Sequence, residues 1–316
     1  MSQKRIVIAG GSGFIGRALA KEFSARQFEV VVLTRTPARR ADGVREVAWD
    51  GKNPGAWVAQ LDGAEAVINL TGKNVNCPHS QKNIFRIIAS RVNSVNAISD
   101  AFTKIKVPPR VWVQASAVGF YGETGSNSRD ENFPSGDDTL AEVCRQWEAA
   151  FDSATTPQTR KVVLRIGFVL GRDGGALPVL MRLTKFYLGG TAGNGQQYIS
   201  WIHLDDLVQM FVAAVCRNNF TGTFNAVAPG AVTNAEFMRE LRRVMRRPWS
   251  PPVPKFAVHI GAWLFTSEPS LVLTGQRCSA DRIRELDFPF KFPQLGAALE
   301  NLCVDKSSVT AAKTAV

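Results

Sequence analysis

A doubly wound α/β fold, a parallel sheet between two layers of helices followed by a smaller loop-rich region, is what this chain predicts. Three observations carry the prediction. Ile6, Val7 and Ile8 form a continuous β-branched run, as a strand buried on both faces requires. That run breaks into Gly10, Gly13 and Gly16, three apart, while Ile15, Ala18, Leu19 and Phe23 restart at helical spacing. Strand-like and helix-like patterns then alternate through residue 166, the rhythm of a parallel sheet covered on both faces.

Taken in order, residues 29–34 read as a second strand, 44–48 as a short third and 64–70 as a fourth. A long helix over about 80–104 precedes Pro108 and Pro109, residues 111–115 make a fifth strand, 140–153 a helix and 161–166 a sixth strand. Past Gly171 the texture changes. Gly174, Gly175, Gly189, Gly190, Gly193 and Gly195 interrupt short apolar segments, and Pro248, Pro251, Pro252 and Pro254 cluster. The expected division is a nucleotide-binding Rossmann-type domain over 1–170, with a strand returning near 222–228. A smaller substrate domain over 171–303 and a disordered tail over 304–316 complete it. Residues 125–136, polar and turn-rich, are expected to form a surface loop beside the site.

With 316 residues, 45% hydrophobic and 21% charged, the chain has an ordinary globular composition. No apolar run reaches spanning length, and the first strand starts within a few residues of Met1, so neither a membrane association nor a leader is expected. Cys77, Cys144, Cys216, Cys278 and Cys303 lack paired spacing, and His79, His203 and His259 are scattered. Reduced thiols, a cytoplasmic setting and no metal site follow as expectations. Net charge is +11, and Arg239, Arg242, Arg243, Arg246 and Arg247 concentrate near one helix beside Glu236 and Glu240. Without interleaved stacking aromatics, a solvated helix face is expected there rather than a nucleic-acid or acidic-lipid site.

The glycine turn points to a dinucleotide. Its first glycine permits the tight turn, the second lets backbone N–H groups approach a pyrophosphate, and the third allows helix to pack on strand. The helix N-terminus that begins at Phe14, Ile15 and Gly16 then faces the phosphates. At the end of the second strand, where an acid would accept the ribose hydroxyls of NAD, stand Thr34 and Arg35, with Arg39 and Arg40 beyond and no carboxylate before Asp42. A guanidinium there can clamp a 2′-phosphate, so NADP is expected over NAD; Arg35 stacked on adenine would serve either.

Further motifs lie outside the turn: Val67-Ile68-Asn69-Leu70-Thr71-Gly72, Ser90-Arg91, Ala115-Ser116-Ala117-Val118-Gly119-Phe120-Tyr121-Gly122, Leu164-Arg165-Ile166-Gly167 and Ser200-Trp201-Ile202-His203-Leu204-Asp205-Asp206. In this order they resemble the extended short-chain dehydrogenase/reductase superfamily, nearest an atypical branch of epimerase family proteins with a small C-terminal domain of unknown role. The resemblance implies that Leu70, Thr71 and Gly72 pass behind the nicotinamide ribose, that Arg91 follows on the next helix, and that Ser116 adjoins nicotinamide and substrate. It also implies a Tyr-x-x-x-Lys pair in active members. Counting back from Glu148, those two places hold Leu140 and Cys144, neither suited to that acid–base work.

Ser116 and Tyr121 are therefore the catalytic candidates, Tyr121 either as proton donor or as a substrate-lining aromatic. Glu123 and Asp130 sit in a polar loop where solvated charge is the norm. Arg165, among apolar neighbours, must find a partner, with Asp205 or Asp206, or else a substrate phosphate, expected. His203 is expected to be a satisfied core histidine, Trp147 and Trp201 to be packing residues, and Gln196-Gln197 to form either a turn or a substrate contact. Two functions stay open: an NADP-dependent oxidoreductase or epimerase acting on a small carbonyl or sugar-type substrate, and a catalytically silent NADP(H)-binding sensor or interaction protein. Oligomeric state is open.

Overall fold

The computed structural model describes residues 3–264 and 267–304. β1 (Arg5–Ala9) leads through a glycine turn into α1 (Phe14–Ala25), followed by β2 (Glu29–Thr34), β3 (Arg45–Ala48) and β4 (Ala66–Asn69). α2 (Gln81–Phe102) is capped by Ser80, whose hydroxyl accepts from the Asn83 N–H, and β5 (Val111–Ala117) follows. α3 (Thr139–Ser153), capped by Asp138, then leads to β6 (Arg160–Ile166) and the short β7 (Phe168–Leu170). Beyond lie α4 (Leu177–Lys185), β8 (Tyr198–Ile199), β9 (Trp201–His203), α5 (Leu204–Cys216), β10 (Gly222–Ala226) and β11 (Val232–Thr233). α6 (Asn234–Val244), α7 (Lys255–Leu264), α8 (Ser270–Leu273), α9 (Asp281–Glu285) and α10 (Leu295–Cys303) complete the described chain.

Seven strands form one parallel sheet in the order β10-β6-β5-β4-β1-β2-β3. This is the doubly wound Rossmann-type sheet expected from the sequence. Alternation within each strand sends successive side chains to opposite faces. Ile6 and Ile8 join Leu19 and Phe23 of α1 and Leu207 and Phe211 of α5 on one face. Val7 and Val31 join Val95 and Ile98 of α2, with Trp112 and Phe151, on the other. Each such fully buried side chain stabilises the fold by roughly 1.5–3 kcal/mol. A third cluster, with Phe237 and Leu241 of α6 and Leu295 and Leu299 of α10, packs beside β7 and β9.

The short pairs β7–β9 and β8–β11 have only two or three residues per strand, too few to show a period in the sequence. Among the described residues no helix is long and apolar enough to cross a membrane. The tail expected over 304–316 lies, from 305 onward, outside the described residues. Strand order reverses at β1, which has β2 on one side and β4 on the other. A crevice at the carboxyl ends of strands at such a switch point is where open α/β sheets hold ligands.

Candidate functional site

A cleft of about 680 Å³ opens at that point. Gly10, Gly13, Thr34, Arg35, Leu70, Thr71 and Gly72 all line it. Gly10 has φ +76°, and a Cβ there would lie 3.1 Å from the Thr71 nitrogen, so the turn passes against the end of β4 only because no side chain intervenes. At Gly16 a Cβ would fall 2.4 Å from the Gly11 Cα, which forces glycine wherever this helix packs on its own turn. Gly13 caps α1 without any side-chain hydrogen bond. The first-turn N–H groups, those of Phe14, Ile15 and Gly16 among them, therefore remain available at the positive end of the helix.

The side chains of Phe14 and Ile15 look elsewhere. The Phe14 ring fills the space over two later glycines, since a Cβ on Gly171 would lie 2.3 Å from it and one on Gly174 2.4 Å. Ile15 packs on the sheet core. Arg91 does not line the cleft either. Its Nη1 donates to the carbonyls of Lys73 (3.0 Å) and Ile87 (3.1 Å), its guanidinium lies 4.9 Å over the Trp147 ring, and a Cβ on Gly72 would come 2.9 Å from it. Arg91 braces the loop after β4 from beneath.

The cleft is cationic. Arg35, Lys52 and Arg86 line it, and their side chains form no hydrogen bond or close ion pair among the described residues. Arg40, by contrast, is spent on Asp42 (2.6 Å) and Glu46 (3.4 Å). Asp50 is the one carboxylate among the lining residues, and it accepts from the N–H groups of Asn53 (2.9 Å) and Lys52 (3.0 Å). Those bonds hold its carboxyl below the ordinary range. The Trp49–Lys52 wall, with Lys73, Asn74, Arg86, Ser90 and Asn93 opposite, was not anticipated from the sequence. Asp50, two residues past the end of β3 and followed by Gly51, was the available signal.

Ser116 and Tyr121 meet in a different place. Both are buried, 3% and 4% exposed, and neither lines the cleft. The Ser116 hydroxyl donates to Glu148 Oε1 (2.5 Å). Glu148 pairs with Arg165, whose Nη2 reaches Oε2 at 2.8 Å and whose Nε reaches Oε1 at 3.0 Å. Arg165 Nη1 donates to the Tyr121 hydroxyl (2.8 Å), which donates in turn to Asn225 Oδ1 (2.8 Å). Phe120 closes over the guanidinium at 3.5 Å. Burial pushes the Tyr121 phenol above its ordinary range.

Two expectations need correction. Arg165 pairs with Glu148 and not with Asp205 or Asp206. Asp206 instead accepts the backbone N–H groups of Lys291 (2.8 Å) and Phe292 (2.9 Å), and Asp205 pairs with the Lys291 amine (2.9 Å). The loop over 125–136 is not wholly surface either, because Glu131 turns inward to accept the Asn225 N–H at 2.7 Å, and burial raises its carboxyl.

At the expected acid–base positions, Leu140 carries no polar atom on its side chain, and burial pushes the Cys144 thiol up to about 12. His203 caps α5, its Nδ1 accepting the Asp205 N–H (3.0 Å), with its ring stacked 3.9 Å from Phe292. Trp147 and Trp201 are buried packing residues. Gln197 is spent on the carbonyls of Ala192 and Val272, both 3.0 Å away, and Gln196 lies in the turn begun by Asn194. On the basic helix, Arg243 pairs with Glu240 and Glu300 and Arg242 with the Gly189 carbonyl.

The model of the NAD dependent epimerase/dehydratase family matches residues 6–226, and that of a domain of unknown function (DUF1731) matches residues 253–302. An Arabidopsis thaliana relative, the chloroplastic homolog of epimerase family protein SDR39U1, is 36% identical over 308 residues, 94% of this chain and 86% of its own. Human epimerase family protein SDR39U1 is 34% identical over 304 residues, 94% of this chain and 99% of its own. The crystal structure of the human protein with NADPH superposes with a TM-score of 0.85 at 32% identity, covering 94% of this chain and 98% of that one.

Proposed function

The chain belongs to the NAD-dependent epimerase/dehydratase family, and on that footing we propose that it binds NADP(H) across the cleft between β1 and β4. The observation that carries this is the set of cationic side chains, Arg35, Lys52 and Arg86, that make no hydrogen bond among the described residues around a cleft whose single carboxylate is already committed. Such a cleft favours a polyanion. The N–H groups of Phe14, Ile15 and Gly16 would hold the pyrophosphate, and Arg35, at the end of β2, the 2′-phosphate. Gly10 and Gly16 keep the turn open, and Arg91 fixes the loop through Gly72. The NADPH held by the human relative supports the same assignment.

When bound, a nicotinamide dinucleotide supplies or accepts a hydride. What this chain offers beside it differs from the superfamily pattern. Leu140 moves no proton, and Cys144 keeps its own at neutral pH. Binding without turnover, as in a sensor or interaction protein, fits those two residues.

One observation favours a second reading, an oxidoreductase or epimerase acting on a small carbonyl or sugar-type substrate. The Ser116 hydroxyl already donates to a carboxylate at 2.5 Å, so its oxygen could take a proton from a substrate alcohol while passing its own to Glu148. Titration with NADPH and NADH tests the binding proposal: tighter binding of NADPH supports it, and absence of binding ends it. A panel of carbonyl compounds and sugar nucleotides, followed by NADPH oxidation or isomer formation, separates the two readings. Turnover that disappears in Ser116→Ala selects the enzyme, whereas tight binding with no turnover selects the sensor.

A further inference from the structure

Ten of the thirteen exposed large hydrophobic side chains among the described residues fall in two segments, 179–188 and 249–272. On α4 and its C-cap, Val179, Leu183 and Phe186 stand at i, i+4 and i+7, and on α7 so do Phe256, Ile260 and Trp263. Each helix thus turns an apolar stripe outward, with Trp263 78% and Trp249 72% exposed. The segments run side by side. Val253 donates to the Thr191 carbonyl (2.7 Å) and accepts from the Gly193 N–H (2.8 Å), and the Arg247 guanidinium lies 5.4 Å from the Tyr187 ring. Apolar surface of this extent on one end of a molecule marks a contact face.

Across α4, α7 and the turn around Trp249 the charge has one sign, and Glu268, farther along the second segment, accepts the His79 N–H (3.0 Å). Residues 177–190 and 245–264 contain no Asp or Glu but hold Arg182, Lys185, Arg246, Arg247 and Lys255. Tryptophan, tyrosine and phenylalanine mixed with lysine and arginine is the composition that partitions into the boundary between lipid headgroups and acyl chains. We propose that this face, built from α4, α7 and the turn around Trp249, docks on the surface of an anionic phospholipid bilayer. The aromatic side chains enter the interface while the cations meet the headgroups, each cation near the surface adding to attraction that salt screens. This departs from the sequence expectation of a solvated face, rather than an acidic-lipid site, at Arg239, Arg242, Arg243, Arg246 and Arg247, the last two of which lie on this face.

The full chain is to be mixed with vesicles of phosphatidylcholine alone or with about 30 mol% phosphatidylglycerol. Co-sedimentation with the anionic vesicles only, weakening toward about 0.5 M salt, is the expected result. Trp49, Trp57, Trp112, Trp147 and Trp201 are buried, so a blue shift of the emission on binding reports Trp249 and Trp263. Ile260→Ser with Trp263→Ser should weaken partitioning roughly tenfold, and Arg182→Glu with Lys185→Glu should flatten its salt dependence, both with an unchanged thermal midpoint. Equal binding to neutral vesicles, or binding that leaves the emission unmoved, overturns the proposal. So does self-association that alone shifts the emission while vesicles are ignored, or capture of an acidic protein by a face that ignores lipid.

Discussion

Two regions at the same end of the sheet behave in opposite ways. In the cleft between β1 and β4, the side chains of Arg35, Lys52 and Arg86 make no hydrogen bond among the described residues, and a helix begins without a side-chain cap. Around Ser116, a run of polar side chains through Glu148, Arg165, Tyr121 and Asn225 is closed on itself and buried. An open set of donors is stabilised by a ligand, whereas a closed set stabilises the fold. The polar side chains around Ser116 satisfy one another within the fold, while the side chains of Arg35 and Arg86 in the cleft do not.

Substitutions in the two regions should have separable effects. The largest effect belongs to Arg165→Met, which strands the buried Glu148 charge and should cost about 3–5 kcal/mol in a urea melt. NADPH affinity in the surviving fold should hold; loss of affinity without loss of stability would merge the two regions. Gly10→Ala comes next, because its φ of +76° resists a side chain and its Cβ would press on Thr71. About 1–2 kcal/mol of strain and roughly a tenfold fall in NADPH affinity, read by calorimetry, are expected.

Arg35→Ala should cost NADPH about 1.5–3 kcal/mol and leave NADH untouched, so the ratio of the two affinities is the readout. Ser116→Ala removes one donor while Glu148 keeps Arg165, so only about 1 kcal/mol of stability and no nucleotide affinity should be lost. The smallest effect is a pH slope. Burial holds His203 below the ordinary imidazole range. Below about pH 6.5 the unfolded chain therefore binds the proton first. Stability from this group is intact above that pH and lost as pH falls through it. Urea midpoints at neutral and mildly acidic pH should show the slope, and His203→Asn should flatten it.

The sheet and the glycine turn were legible because they rest on local patterns. The β-branched run at Ile6–Ile8 and the spacing of Gly10, Gly13 and Gly16 need no knowledge of the rest of the chain. Arg165 shows where that ends. Its need for a partner was visible, but Glu148 lies on α3, and only the docking of α3 beside β6 brings the two together. Asp205 and Asp206, the acids of the next motif along the chain, are drawn off by the segment at Lys291 and Phe292. Motif position marked Ser116 and Tyr121 as a pair, but their hydroxyl partners, Glu148 and Asn225, lie on other elements and were not legible from the motif. The Asp50 wall escaped because a single acid after a four-residue strand has no period to flag it.

A crystal structure of the chain with NADPH decides whether the cleft is the nucleotide site and the Ser116 set is left undisturbed. The expected result is the pyrophosphate on the N–H groups of Phe14, Ile15 and Gly16, the 2′-phosphate at Arg35, and the Ser116–Glu148–Arg165–Tyr121 bonds unchanged. Nucleotide bound elsewhere, Arg35 turned to solvent, or Ser116 released from Glu148 toward the nicotinamide would contradict it.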